Sequence, residues 1–133
     1  MREERPVTTE MELGSEKVDQ IRFLARQTYL SERARELLAK VAALMDERAA
    51  LVRRVGELAA ERKRLVADQE NLRKNIQVLR DSPEERRLRD EYVGRLSKAM
   101  ARVDEIDRES TEAEAQSEQL ETRVVRELRG FVD

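Results

Sequence analysis

Leucine returns at every seventh place through much of the first half of the chain: Leu37, Leu44, Leu51, Leu58, Leu65, Leu72 and Leu79. At the alternating offset of four then three stand Val41, Arg48, Val55, Arg62, Gln69 and Ile76. This is a heptad repeat with the leucines at d and the second set at a, the pattern by which helices interlock side chains along a shared seam. The adjoining e row holds Leu38, Met45, Val52, Ala59 and Val66 before turning to Arg73 and Arg80. A two-helix seam needs only a and d, whereas a wider stripe faces more than one neighbour. The pattern therefore predicts two-helix packing near residue 80 and three or four helices at the opposite end, here called the base.

The repeat resumes with Tyr92, Ala99, Ile106, Ala113 and Leu120, interleaved with Leu96, Val103, Ser110, Ser117 and Val124, until Gly130 stops it. Between the two runs lies Asp81-Ser82-Pro83-Glu84-Glu85. A serine, then a proline at the first helical position, then two glutamates make a strong helix-start signal. Two arms of nearly equal length, each about 70 Å at about 1.5 Å per residue, can thus fold back antiparallel on this turn. That register sets Leu72 near Tyr92, Leu58 near Ile106 and Leu44 near Leu120. Ala99 and Ala113 fall among leucines, a large-on-small arrangement that draws helices together. Residues 107–119 offer little beyond Ala113 and Ala115 to bury and lie opposite Arg48 and Gly56. This stretch is expected to be the least tightly packed part of the hairpin.

Ahead of the arms, Val18, Ile21, Leu24, Ala25 and Thr28 share one side of a helical segment over Glu16–Tyr29, which Phe23, Tyr29 and Leu30 widen. Ser15 is a plausible N-cap for it, and Ser31-Glu32 can cap a new helix. The reading is a break near Leu30, with one continuous helix over 16–80 as the alternative. In residues 1–14, Val7, Thr9, Met11 and Leu13 alternate with polar residues at a strand-like period of two. A lone strand is unstable, so the segment is either a tail or a strand in need of a partner edge. The fold class is all-α: a long antiparallel coiled-coil hairpin with a short extra N-terminal helix, associating into a dimeric bundle. Its parts are an extended or disordered tail over 1–14, a short helix over 15–30, and the hairpin over 31–133 with its turn at 81–83.

Composition sharpens this picture. Of the 133 residues, 42% are charged and 3% aromatic, usage that suits long helices better than a compact globule. The 27 basic and 29 acidic residues are mixed along the chain for a net charge of −2, without the basic block of a nucleic-acid binder. Arg62-Lys63-Arg64 and the later Arg86-Arg87 and Arg89 have acidic residues at helical neighbour spacing and no interleaved aromatics to stack bases. The chain has no cysteine and no histidine, which removes the thiolate nucleophile and the commonest general base and metal ligand. Pairs such as Glu84-Glu85 and Asp104-Glu105 lie on exposed helix, without a cleft to shift their pKa values. No catalytic residue, metal, cofactor or small-molecule substrate is expected. No apolar run approaches the roughly 20 residues of a membrane span, and no signal peptide follows Met1, so a cytoplasmic location is the default, with a fragment of an exported protein as the alternative.

Polar residues at a positions, Arg48, Arg62 and Gln69, either fix register or let long stems lie along the seam with their charge in water. Phe23, Tyr29, Leu38, Met45, Val52 and Phe131 collect towards the base and form the candidate interface, through a homodimer or another protein partner. The alternative is that the Glu16–Tyr29 helix folds back and covers them.

The run Asp68-Gln69-Glu70-Asn71-Leu72-Arg73-Lys74-Asn75-Ile76, with Leu79, Ser82, Pro83 and Leu88-Arg89-Asp90-Glu91-Tyr92-Val93, resembles the coiled-coil portion of large bacterial proteins of unknown function. Ile21-Arg22-Phe23-Leu24 and Tyr29-Leu30-Ser31 are similar to the helical approach to that hairpin, and Arg5-Pro6-Val7-Thr8-Thr9 to a strand leaving a β-rich part. The resemblance implies a hairpin that interrupts or precedes a β-rich C-terminal domain, and no catalytic residues. The sequence ends at Gly130-Phe131-Val132-Asp133 without such a domain, which is expected either of an excised piece or of a stand-alone relative. The expected function is a non-enzymatic structural or oligomerisation module, a spacer or scaffold. An adaptor or chaperone gripping a client helix at the base or along residues 107–119 is the second reading, and nucleic-acid binding a distant third.

Overall fold

The computed structural model describes residues 15–25 and 31–132, and the strand-like segment Val7–Leu13 lies outside them. The described residues form α1 (Ser15–Ala25), α2 (Glu32–Gln77) and α3 (Pro83–Val132), with no strand among them, so the protein is all-α. Alanine, leucine, glutamate and arginine, the strong helix formers, make up most of α2. Ser31 caps its start: the Ala34 N–H donates to Ser31 Oγ at 3.1 Å, and the Arg35 N–H donates to the Ser31 carbonyl at 3.0 Å. Glu32 in the first turn complements the positive end of the helix dipole. A helix therefore begins after Leu30, where the Ser31-Glu32 signal placed it.

The chain divides into two compact units. The turn unit, Arg54–Glu112, is an antiparallel helical hairpin made of the end of α2, the turn and the start of α3. Cross-helix ion pairs give its sense, for Arg54 meets Glu109 and Glu61 meets Arg102, so partners on α3 fall in number as those on α2 rise. Its buried side chains are Leu58, Gln69 and Leu72 from α2 against Ala99, Val103 and Ile106 from α3. Leu65, Leu79, Tyr92 and Leu96 are half-buried at the same seam positions.

The second unit holds α1, the first part of α2 and the last part of α3. Val18 of α1, Val41, Ala42, Leu44 and Met45 of α2, and Leu120 and Val124 of α3 form one hydrophobic cluster. Ile21, Leu37 and Leu51 pack against it. Met45 was expected on an interface; instead it is buried, because α1 brings Val18 and Ile21 onto the e side of α2. The third helix predicted by the wide stripe is thus supplied by the chain itself.

Between Met45 and Leu58 no residue of α2 is buried, and over 107–119 of α3 only Ala113 is. Burial does not set these stretches apart, for residues 59–68 of α2 and 83–98 of α3 contain no buried side chain either, so the expectation that 107–119 is the least tightly packed part gains no support from it.

Candidate interaction site

Among the described residues, side-chain-to-backbone hydrogen bonds gather at the turn. Ser82 Oγ accepts the Glu85 N–H at 3.1 Å, while Glu85 Oε1 accepts the Ser82 N–H at 3.3 Å. This reciprocal capping box satisfies backbone donors that an uncapped helix start leaves orphaned. Glu85 Oε2 also accepts the Arg80 N–H at 3.0 Å. These donors, led by Arg80, hold the Glu85 carboxyl below the usual glutamate range. On the other side of the turn, the Arg89 guanidinium donates to the carbonyls of Arg80 at 2.8 Å and Leu79 at 3.3 Å. A cation placed on the free carbonyls at the end of α2 does the work of a glycine C-cap. Asp81 reaches Arg86 at 3.7 Å, and Pro83 and Glu84 open α3 with exposed side chains. Of the five turn residues, Ser82 and Glu85 are thus structural groups whose side chains engage the backbone of the turn.

The two flanks of the turn-unit seam differ. Along the g side, Arg54 donates to Glu109 at 2.8 Å, and Arg102 donates to both Glu61 oxygens at 2.7 and 2.9 Å. Those arginine contacts lower the Glu61 and Glu109 carboxyls below their ordinary values. Along the e side lie exposed apolar residues: Val66 at 41% on α2, with Val93 and Met100, each at 47%, on α3. Of the polar a residues, Arg62 snorkels out to Asp107 at 2.8 Å, Arg48 is half-buried beside Glu121 at 3.5 Å, and Gln69 alone is buried.

In the other unit the candidate interface residues divide. Phe23 and Val52 are exposed, at 63% and 51%, and Leu38 is half-buried. Phe131 is half-buried, with the Arg33 guanidinium 5.0 Å from its ring centroid, a cation–π distance. Tyr29 lies outside the described residues. A groove of about 500 Å³ runs beside Phe131, bordered by Arg33, Lys40, Glu36 and Glu127. Lys40 and Glu127 pair at 3.0 Å, so its walls neutralise one another. Among the described residues, no group of three or more histidine, cysteine, aspartate or glutamate side chains could hold a metal ion. No helix among them is long and apolar enough to cross a membrane.

The a, d and e rows do not reveal the g-row charge pairs, and Arg89, expected as a solvated charge paired along its own helix, instead caps the carbonyls of Leu79 and Arg80. The signal of the pairs was there: Arg54 and Glu61 lie seven apart on one arm, and Arg102 and Glu109 on the other. Comparison with protein-family models, curated proteins and solved structures finds no match to this chain.

Proposed function

We propose that this chain is a non-catalytic coiled-coil module, a spacer or scaffold that works through protein–protein contacts and associates with itself. The observation that supports this most is the exposed apolar e row of α2, Val52 and Val66, beside a seam already closed by a and d residues. An apolar row outside a completed seam is what a second pair of helices would cover. In line with the resemblance to hairpins of larger bacterial proteins, the module holds other protein parts at a set distance, in the cytoplasm. Sedimentation equilibrium tests the reading. A species of twice 15.5 kDa is expected at micromolar concentration, and only the 15.5 kDa monomer at high micromolar concentration would overturn it.

The exposed Phe23 favours a second reading, an adaptor that docks a client helix on α1. The Phe23→Asp variant separates the two. Under the adaptor reading it loses a client while self-association persists; under the scaffold reading with association at the base, it loses the dimer.

A further inference from the structure

We infer that the e-side flank of the turn unit, centred on Val66 and Met100, is the self-association surface, and that its occupant is the same flank of a second copy of this chain. This rests on the self-association reading above and places the contact away from α1.

The g flank of the hairpin is bridged by Arg54–Glu109 and Glu61–Arg102, whereas on the e flank, among the described residues, Arg62–Asp107 bridges the helices one heptad towards the base from Met100 and leaves Val66, Met100 and Val93 uncovered. Val66, Met100 and Val93 are each between two-fifths and one-half exposed there, and Ala59 adds an exposed small side chain to the same row. The cross-helix pairs fix the levels. Glu61 meets Arg102 and Arg62 meets Asp107, so Val66 and Met100 stand at about the same height on neighbouring helices.

A two-fold axis parallel to the helices then lays α2 of one copy over α3 of the other, running antiparallel. Each copy's Val66 comes to rest on the other's Met100, giving the isologous contact of a closed dimer. The residues bordering this strip select the occupant. Lys63 lies three residues before Val66, and Asp104 four residues after Met100, both in the outer b row and both towards the base. Both are exposed, and neither takes part in an ion pair among the described residues. The same two-fold sets each copy's Lys63 beside the other's Asp104, two intermolecular pairs from one operation. An unrelated helix has no reason to carry an acid and a base at these heights; a second copy carries them by symmetry. The result is a four-helix bundle with coiled-coil packing.

The full chain is used for the test, with far-UV circular dichroism to verify that each variant keeps its helix content. Wild type is expected at twice 15.5 kDa, and Val66→Glu with Met100→Glu at 15.5 kDa. Both residues are already partly in water, so the hairpin itself survives the change. Lys63→Asp and Asp104→Lys should each shift the mass towards monomer, while Lys63→Asp combined with Asp104→Lys restores the dimer. A charge swap that fails to restore it overturns the inference. So does a dimer that survives both glutamates and is broken instead by Phe23→Asp, a result that leaves the scaffold reading standing. A wild-type monomer at high micromolar concentration overturns both.

Discussion

Leu58 and Leu88 make a matched pair for measuring what the seam contributes. Both are leucines in the turn unit, but Leu58 at d is 0% exposed, whereas Leu88 is 36% exposed. Truncation to alanine removes three carbons, worth about 2.4 kcal/mol at about 0.8 kcal/mol per buried methylene. At Leu58 a cavity cost adds to this, and fully buried Leu→Ala changes span about 2.7–5 kcal/mol. Only two helices wall the site, so it can partly collapse, and a loss of about 3 kcal/mol is expected for Leu58→Ala. Leu88 already keeps over a third of its surface in water and leaves no closed void, so Leu88→Ala should cost about 1.5 kcal/mol or less. Urea unfolding of both variants and wild type, at one shared protein concentration because self-association enters the equilibrium, reads the difference as a shift in midpoint at constant slope. Equal losses would mean that Leu58 does not sit in a closed interhelical seam.

Other consequences are as direct. Ser82→Ala removes the acceptor for the Glu85 N–H and should destabilise by about 1 kcal/mol, read from the thermal midpoint. A Cβ added at Gly56 meets nothing within 4 Å, so Gly56→Ala should stabilise by about 1 kcal/mol in the same assay. Acid should act through Glu61, Glu85 and Glu109, whose carboxyls are held low by Arg102, by the Arg80 N–H and by Arg54. Groups with depressed folded values contribute stability that is full above the unfolded glutamate pKa of about 4.3. That stability is lost as pH falls through the folded values, so the urea midpoint should drop below about pH 4 and Glu85→Gln should flatten the drop.

The rows that build the seam were legible because the cause is local and periodic. A residue repeated every seven positions must return to one face of a helix, whatever that face meets. Ser31 and Ser82 were legible for the same reason, since a cap bonds to backbone only three residues away. What periodicity lacks is the identity of the neighbour. Leu38, Met45, Val52 and Val66 belong to one e row, yet Met45 is buried under α1, Leu38 is half-buried, and Val52 and Val66 are exposed. Nothing in the residues themselves separates these fates, because they depend on where α1 lies and on which side chains it meets, Val18 and Ile21 being placed at the cluster that holds Met45. Arg62 was ambiguous for another reason. Its stem suits the seam and its charge does not, and Asp107, forty-five residues away, resolves the conflict by drawing the guanidinium outwards.

The g-row charges explain why one register wins. As stabilising contacts they are weak, because exposed pairs contribute only about 0–1 kcal/mol each and are screened by salt. Their order matters more than their strength. If α3 slips one heptad in one direction, Glu61 leaves Arg102 and comes to face Glu109; in the other direction, Arg54 leaves Glu109 and faces Arg102. The d and a rows hardly oppose such a slip, since they repeat every seven residues and offer Ala99, Ile106 and Ala113 as successive partners. Each slip therefore exchanges an attraction for a like-charge contact, while the capping box and Arg89 pin the turn from the other end. An apolar repeat says that two helices meet, and a charge order that survives neither shift says where. The e flank has one such internal pair, Arg62–Asp107, while Lys63 and Asp104 stand outside it in the outer b row. Their opposite charges are free to set the register of a second pair of helices in the same way.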